Sequence, residues 1–250
     1  DYDGDGEADL AVYHPEGGMW YLMQSSDGFR SLQFGWSKAE PVSNDYDGDG
    51  KEDVAVYHEG DWYIMQSKDG FRTEQFGFRG AVPVPGDYDG DGVLDLSVYH
   101  ASGQNGTWYI LQSSAGYREA GYGFSGVVPV PGDYDGDGRT DIAAYYQGVW
   151  YISQSGGEFV ERQFGYRGVS PVPGDYDGDG TTDLCVYDQA SGMWYIMAST
   201  DGFSSSQFGW SEAEAVVAAD ASGVPWDGEV TLPPAGDLNK TVPIDLNYKE

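Results

Sequence analysis

The sequence predicts an all-β protein, a five-bladed β-propeller of four-stranded blades whose ring is closed by a strand from near the C-terminus. Three observations carry that expectation. The string DYDGDG starts at residues 1, 45, 87, 133 and 175, so one unit of 42–46 residues is repeated five times. Each copy is followed by the same succession of short runs rich in β-branched and aromatic residues, with the period-2 alternation of half-buried strands. No stretch reads as a helix of any length. A repeat of roughly 40–45 residues holding four strands is what one propeller blade needs.

The four runs can be taken in order. The first is DLAVYH, DVAVYH, DLSVYH, DIAAYY or DLCVYD, and the second is WYLMQS, WYIMQS, WYILQS, WYISQS or WYIMAS. The third is LQFGW, EQFGF, AGYGF, RQFGY or SQFGW, and an apolar segment such as AVPVPG then leads into the next Asp-rich string. We label these strands B, C and D, with the proline-bearing segment as strand A of the following blade. Its prolines stand two apart, at Pro83 and Pro85, Pro129 and Pro131, and Pro171 and Pro173. The missing N–H groups therefore fall on one side, which only an edge strand tolerates.

Because the chain starts at an Asp-rich loop, blade one lacks its own strand A. The segment Ala215–Ala219 (AVVAA) stands where a sixth strand A is due, so it is expected to pair into blade one and close the ring. That gives a propeller over residues 1–219, with 220–250 as an extended tail packed on it. The chain begins inside a motif with no signal peptide before it, and is expected to be a processed or trimmed product.

Composition narrows the partners. Hydrophobic residues make up 40% and aromatic ones 15% of 250 residues, enough for a packed core. Forty-two acidic against 12 basic residues give a formal charge of −30. Nucleic acid and anionic membrane surfaces are excluded as natural partners by that charge, and cations are favoured. No apolar run approaches the ~20 residues of a membrane span. The single cysteine, Cys185, rules out an internal disulfide. It alternates with Leu184 and Val186 where other copies place Ala11, Ala55, Ser97 and Ala143, so it is expected to be an inert core thiol.

Each Asp-rich loop reads D-x-D-x-D-G-x-x-D. Its aspartates are Asp1, Asp3, Asp5 and Asp9; Asp45, Asp47, Asp49 and Asp53; Asp87, Asp89, Asp91 and Asp95; Asp133, Asp135, Asp137 and Asp141; Asp175, Asp177, Asp179 and Asp183. Hard oxygen ligands at alternate positions of a tight loop suit calcium, whereas zinc would call for His or Cys. Five calcium ions are expected, one per loop. By analogy with known calcium loops, position 7 adds a main-chain carbonyl, from Glu7, Lys51, Val93, Arg139 and Thr181. Position 12 is apolar (Val12, Val56, Val98, Ala144, Val186) and lies within strand B, so this is a β-type loop and not a helical calcium hand.

DYDGDG with its ninth-position Asp, the Phe-Gly dipeptide and the following G-x-x-P resemble the FG-GAP or VCBS repeats over residues 1–219. These are the calcium-binding blades of integrin α-subunits and of many secreted bacterial proteins. The resemblance implies the propeller and the metal. It spans adhesion receptors, fungal lectins and propellers attached to polysaccharide-degrading enzymes, and so fixes no activity. Five repeats rather than the integrins' seven set this chain apart from them.

Three repeated features could meet a ligand. The Trp-Tyr pairs from Trp20, Trp62, Trp108, Trp150 and Trp194 are expected to pack between blades, one ring on each face of strand C. His14, His58 and His100 share one repeat position, replaced by Tyr146 and Asp188 in the other copies, and are expected at a solvated strand end. The aromatics after Phe-Gly are Trp36, Phe78, Phe124, Tyr166 and Trp210. They begin the loops opposite the metal loops, where rings can pack between blades or stack on a sugar. Trp36 with Glu40 and Trp210 with Glu214 are expected to converge at the seam between blades five and one. The expected function is a secreted or cell-surface, monomeric calcium-binding module for carbohydrate or another extracellular surface. The alternatives are a polysaccharide-active hydrolase or lyase, with Glu40 and Glu214 as its carboxylates, and a structural spacer of a larger secreted protein.

Overall fold

The computed structural model describes residues 1–5 and 9–208. They form five antiparallel sheets and no helix, arranged as a five-bladed β-propeller. Blade one holds β1 (Leu10–His14), β2 (Met19–Gln24) and β3 (Gly28–Gln33). Blade two holds β4 (Glu40–Pro41), β5 (Val54–His58), β6 (Asp61–Gln66) and β7 (Gly70–Gln75). Blade three holds β8 (Val82–Pro83), β9 (Leu96–Ser102), β10 (Asn105–Gln112) and β11 (Gly116–Gly121). Blade four holds β12 (Val128–Pro129), β13 (Ile142–Tyr146), β14 (Val149–Ser153) and β15 (Phe159–Gln163). Blade five holds β16 (Ser170–Pro171), β17 (Leu184–Asp188), β18 (Met193–Ala198) and β19 (Gly202–Gln207).

Strands neighbour one another in chain order, with strand A at the edge of each four-stranded sheet. It is only two residues long: Val82 pairs with Tyr99 and Pro83 with Val98, for example. The far side of that strand is unpaired, so its prolines cost no ladder bond. Blade one shows three described strands. The closing segment Ala215–Ala219 and the tail 220–250 lie outside the described residues.

Strand D departs from the expected LQFGW run. It starts four residues earlier, at Gly28, Gly70, Gly116 or Gly202, or three earlier at Phe159 in blade four, and ends before Phe-Gly (Tyr-Gly in blade three). The glycine of that dipeptide is what stops it. Gly77 sits at φ +119°, and a Cβ there would lie 2.8 Å from the Tyr57 hydroxyl. Only glycine accepts both the backbone and the contact.

The core is built between blades as much as within them. Trp62 and Ile64 of blade two join Leu96 and Val98 of blade three in one cluster, while Tyr63, on the other face of β6, packs toward blade one. Trp62, Trp108 and Trp150 are completely buried. The two faces of strand C thus serve two interfaces, as alternation requires. The indole N–H of Trp62 donates to the Phe76 carbonyl at 2.7 Å, with Trp20, Trp150 and Trp194 repeating the bond to Phe34, Phe164 and Phe208. Trp108 breaks the pattern and has no partner for its indole nitrogen. Its repeat is four residues longer than the one before, 46 against 42.

Candidate functional site

Each Asp-rich loop brings three carboxylates to within 4.8 Å of one another. The sets are Asp1, Asp3 and Asp5; Asp45, Asp47 and Asp53; Asp87, Asp89 and Asp95; Asp133, Asp135 and Asp141; and Asp175, Asp177 and Asp183. Main-chain geometry gathers them. In blade two Asp45 accepts N–H bonds from Gly48 at 2.7 Å and Gly50 at 2.8 Å, which wraps the loop around its first carboxylate.

In blades two to five the ninth-position aspartate is the most buried of the four. Asp53, at 1% exposure, accepts from Tyr46 N–H at 3.0 Å and Ser67 N–H at 2.6 Å. One carboxylate thereby ties the start of the Asp-rich loop to the turn between strands C and D. Asp95, Asp141 and Asp183 repeat the clamp. Burial pushes Asp53, Asp95 and Asp141 up to about 6, opposed by those same N–H bonds. An ionised carboxylate buried there asks for positive charge nearby.

The fifth-position aspartate faces the other way. Outside blade one it is absent from the clustered sets, and it accepts instead from a serine that follows strand C: Ser67 to Asp49 at 2.9 Å, Ser113 to Asp91 at 2.8 Å. Ser25 makes the same bond to Asp5 at 2.7 Å, and Ser155 and Ser199 make it to Asp137 and Asp179. The hydroxyls of Ser199 and Thr200 hold Asp179 down at about 2. The sequence reading missed this serine. Its signal was present, since Ser closes WYLMQS and every equivalent run.

Position 7 buttresses one loop against the next. Lys51 lies against Gly4 and its ammonium donates to the Asp3 carbonyl, while Val93, Arg139 and Thr181 approach Gly48, Gly90 and Gly136. Thr140 and Thr182 donate main-chain bonds to the Asp87 and Asp133 carbonyls, each at 2.6 Å. The loops form a linked series running from blade to blade. Glu7 lies outside the described residues.

Whether a cation suits these loops is tested by the third-position aspartate. One oxygen of Asp3, Asp47, Asp89 and Asp177 accepts bonds from the C–D turn, while the other, Oδ1, is buried with no partner. A buried carboxylate oxygen without a donor is costly unless something else completes it. With oxygen ligands only, beside two further carboxylates, a hard divalent cation fits.

The aromatic set lies at the other end of the blades. Trp36 meets His58 and Tyr63 of blade two, with ring centroids 5.4 and 5.1 Å apart. Phe78 meets His100 and Tyr109, Phe124 meets Tyr146, and Tyr166 meets Tyr195 and shares a hydrogen bond with Asp188. His58 and His100 are therefore not freely solvated strand ends. They are half-buried against the preceding blade's aromatic ring, and His14 alone of the three is exposed. Trp36 also stands at the boundary of blades one and two, not at the seam of five and one, because a D-to-A loop packs forward onto the next blade. Glu40 lies exposed on β4, its carboxyl raised by partial burial. Trp210 and Glu214 lie outside the described residues. Cys185 is buried as expected, and burial pushes its thiol up to about 12.

The fold and the acidic loops define a propeller whose blades each carry a candidate metal centre. Residues 45–98 and 133–186 match the model of the FG-GAP-like repeat, which supports the FG-GAP repeat family for this chain. No curated protein sequence matches the chain. Among solved structures, an Agrocybe aegerita lectin recognising non-reducing terminal N-acetylglucosamine aligns with a TM-score of 0.51 and 16% identity, over 79% of this chain and 61% of the lectin. The BBS1N chain from its complex with ARL6DN aligns with a TM-score of 0.48 and 16% identity, over 81% of this chain and 62% of its own. The V. cholerae biofilm matrix protein Bap1 gives 0.37 and 18%, over 83% and 38%. This chain thus spans under two thirds of each of those structures.

Proposed function

We propose that the chain is an extracellular binding module that takes one calcium ion in each Asp-rich loop and carbohydrate in recesses lined by the aromatics of its D-to-A loops. The calcium assignment rests on the partnerless Oδ1 atoms of Asp3, Asp47, Asp89 and Asp177, and on loops that offer oxygen and neither His nor Cys. When bound, the ion neutralises carboxylates that otherwise repel one another, so metal binding and folding are linked. Loops of this type in extracellular modules bind as weakly as about 10⁻⁴–10⁻³ M, which suits calcium-rich surroundings outside the cell.

One observation carries the carbohydrate assignment. Two recesses on the described surface are each lined by an aromatic that follows Phe-Gly or, for Phe124, Tyr-Gly. One, of about 150 Å³, is formed by Phe164, Gly165, Tyr166, Val186, Tyr195 and Phe203 between blades four and five. The other, of about 400 Å³, sets Phe124 beside Gln104 and Ser125. An aromatic face beside amide and hydroxyl groups provides stacking for a sugar ring and hydrogen bonds for its edge. The lectin shares the fold, while the residues lining these recesses are this chain's own. A panel of mono- and oligosaccharides, read by ligand-observed NMR with calcium present, tests the assignment. Binding that falls about two- to tenfold in Phe124→Ala or Tyr166→Ala supports it, a stacked ring being worth about 0.5–1.5 kcal/mol. No binding across the panel, or binding untouched by both substitutions, would refute it.

A further inference from the structure

The five loops are alike in sequence, yet blade four holds its third aspartate differently. In blades one, two, three and five the C–D turn aims two successive N–H groups at this carboxylate. Ser26 and Asp27 donate to Asp3, Lys68 and Asp69 to Asp47, Ser114 and Ala115 to Asp89, and Thr200 and Asp201 to Asp177, at 3.0–3.3 Å. The corresponding donors in blade four are Gly156 and Gly157, and neither reaches Asp135. Gly157 donates back to the Gln154 carbonyl at 2.8 Å, and Gln154 to Glu158 at 2.9 Å. Asp135 is exposed where its counterparts are half-buried, its Oδ1 accepts from Asp137 N–H, and it is missing from the partnerless oxygens.

The cause is one residue in the turn. Gly28, Gly70, Gly116 and Gly202 take φ between +73° and +84° at the position where strand D begins. Blade four has Glu158 there, and a side chain is strained at such a φ. The left-handed residue moves back one place to Gly157, at φ +92°, which turns both donors away from the metal loop.

We infer that blade four carries the weak cation site of this propeller, because Glu158 leaves Asp135 unanchored. The inference rests on the calcium reading above. In four loops the third carboxylate is held in place before the ion arrives. In blade four it must be ordered on binding, and that cost is subtracted from affinity.

Calorimetric titration of the chelator-stripped protein with calcium alone tests it. Four tight sites and one weaker by about tenfold or more are expected. Asp135→Ala should delete only the weak phase. Gly157→Ala with Glu158→Gly, which copies the Ala115–Gly116 turn of blade three, should merge the fifth site with the other four. Gly70→Glu should conversely move one tight site into the weak class, since a Cβ at Gly70 meets no atom within 4 Å and only the backbone is perturbed. Five equivalent sites in the parent protein would overturn the inference while leaving the calcium reading intact. So would loss of a tight phase in Asp135→Ala, or a weak phase that persists after the turn is replaced. Absence of any calcium binding would overturn the calcium reading and this inference together.

Discussion

Asp47 and Asp53 lie in one loop and lean on the same C–D turn, but the structure assigns them different work, and removing each should show it. Asp53 is 1% exposed and satisfies two main-chain N–H groups, at 3.0 and 2.6 Å. Asp53→Ala strands both, and a buried unsatisfied donor costs about 1–3 kcal/mol. The sum, about 2–6 kcal/mol, corresponds to a fall in Tm on the order of 10 °C for a domain of this size. This loss needs no metal and should appear in chelator.

Asp47 makes only two long bonds, both 3.3 Å, to the exposed turn, and its Oδ1 has no partner. Asp47→Ala should cost under about 1 kcal/mol in chelator, where water can replace it at the turn. In calcium at 100 times the dissociation constant it should forfeit the linkage term of one site, about 2.7 kcal/mol. Thermal unfolding of both variants and the parent, in calcium and after exhaustive chelation, separates the cases. If Asp47→Ala loses as much Tm in chelator as in calcium, Oδ1 does not face a cation. If Asp53→Ala is neutral in chelator, the clamp contributes nothing.

Chelation of the parent should lower Tm sharply and magnesium should restore little of it, because magnesium demands stricter octahedral geometry than these flexible oxygen loops impose; melting by circular dichroism in each ion checks this. Cys185, with its thiol at about 12, should be about one part in ten thousand thiolate at pH 8 and resist a thiol reagent until the protein unfolds; rapid labelling of the folded protein would contradict this. Trp62→Phe should cost about 1 kcal/mol more than Trp108→Phe, since it also abandons a hydrogen bond that Trp108 never makes; equal denaturation midpoints would contradict that. Leu10 and Val12 are 73% and 62% exposed where Val54 and Val56 are 6% and 0%, so blade one should depend on a covering partner. Removal of residues 215–250 should lower Tm by several degrees if Ala215–Ala219 supplies the missing strand A, and an unchanged Tm would refute that closure.

The number of blades, the order of strands and the position of the Asp-rich loops were determined by the sequence alone. A repeat writes the same local physics five times: alternation fixes strands, Gly and Asp fix the turn, and paired prolines allow strand A only at an edge. The faces of strand C were legible for the same reason, because side chains in a strand have only two directions to point. What tertiary structure decided were relations across the repeat boundary and between distant turns. His58 and His100 are half-buried because the preceding blade lays Trp36 and Phe78 against them, and nothing within their own repeat says so. Likewise, strand D ends sooner than its apolar residues suggest, because Gly77 must turn left-handed beneath the Tyr57 hydroxyl. The Asp-rich loops divide in the same way. Four aspartates per loop announce a cation site, but their separate roles depend on the serine and the N–H groups of a turn 14–26 residues away. Hydrogen bonds have direction, and one glutamate at Glu158 is enough to re-aim two donors, which no count of carboxylates records.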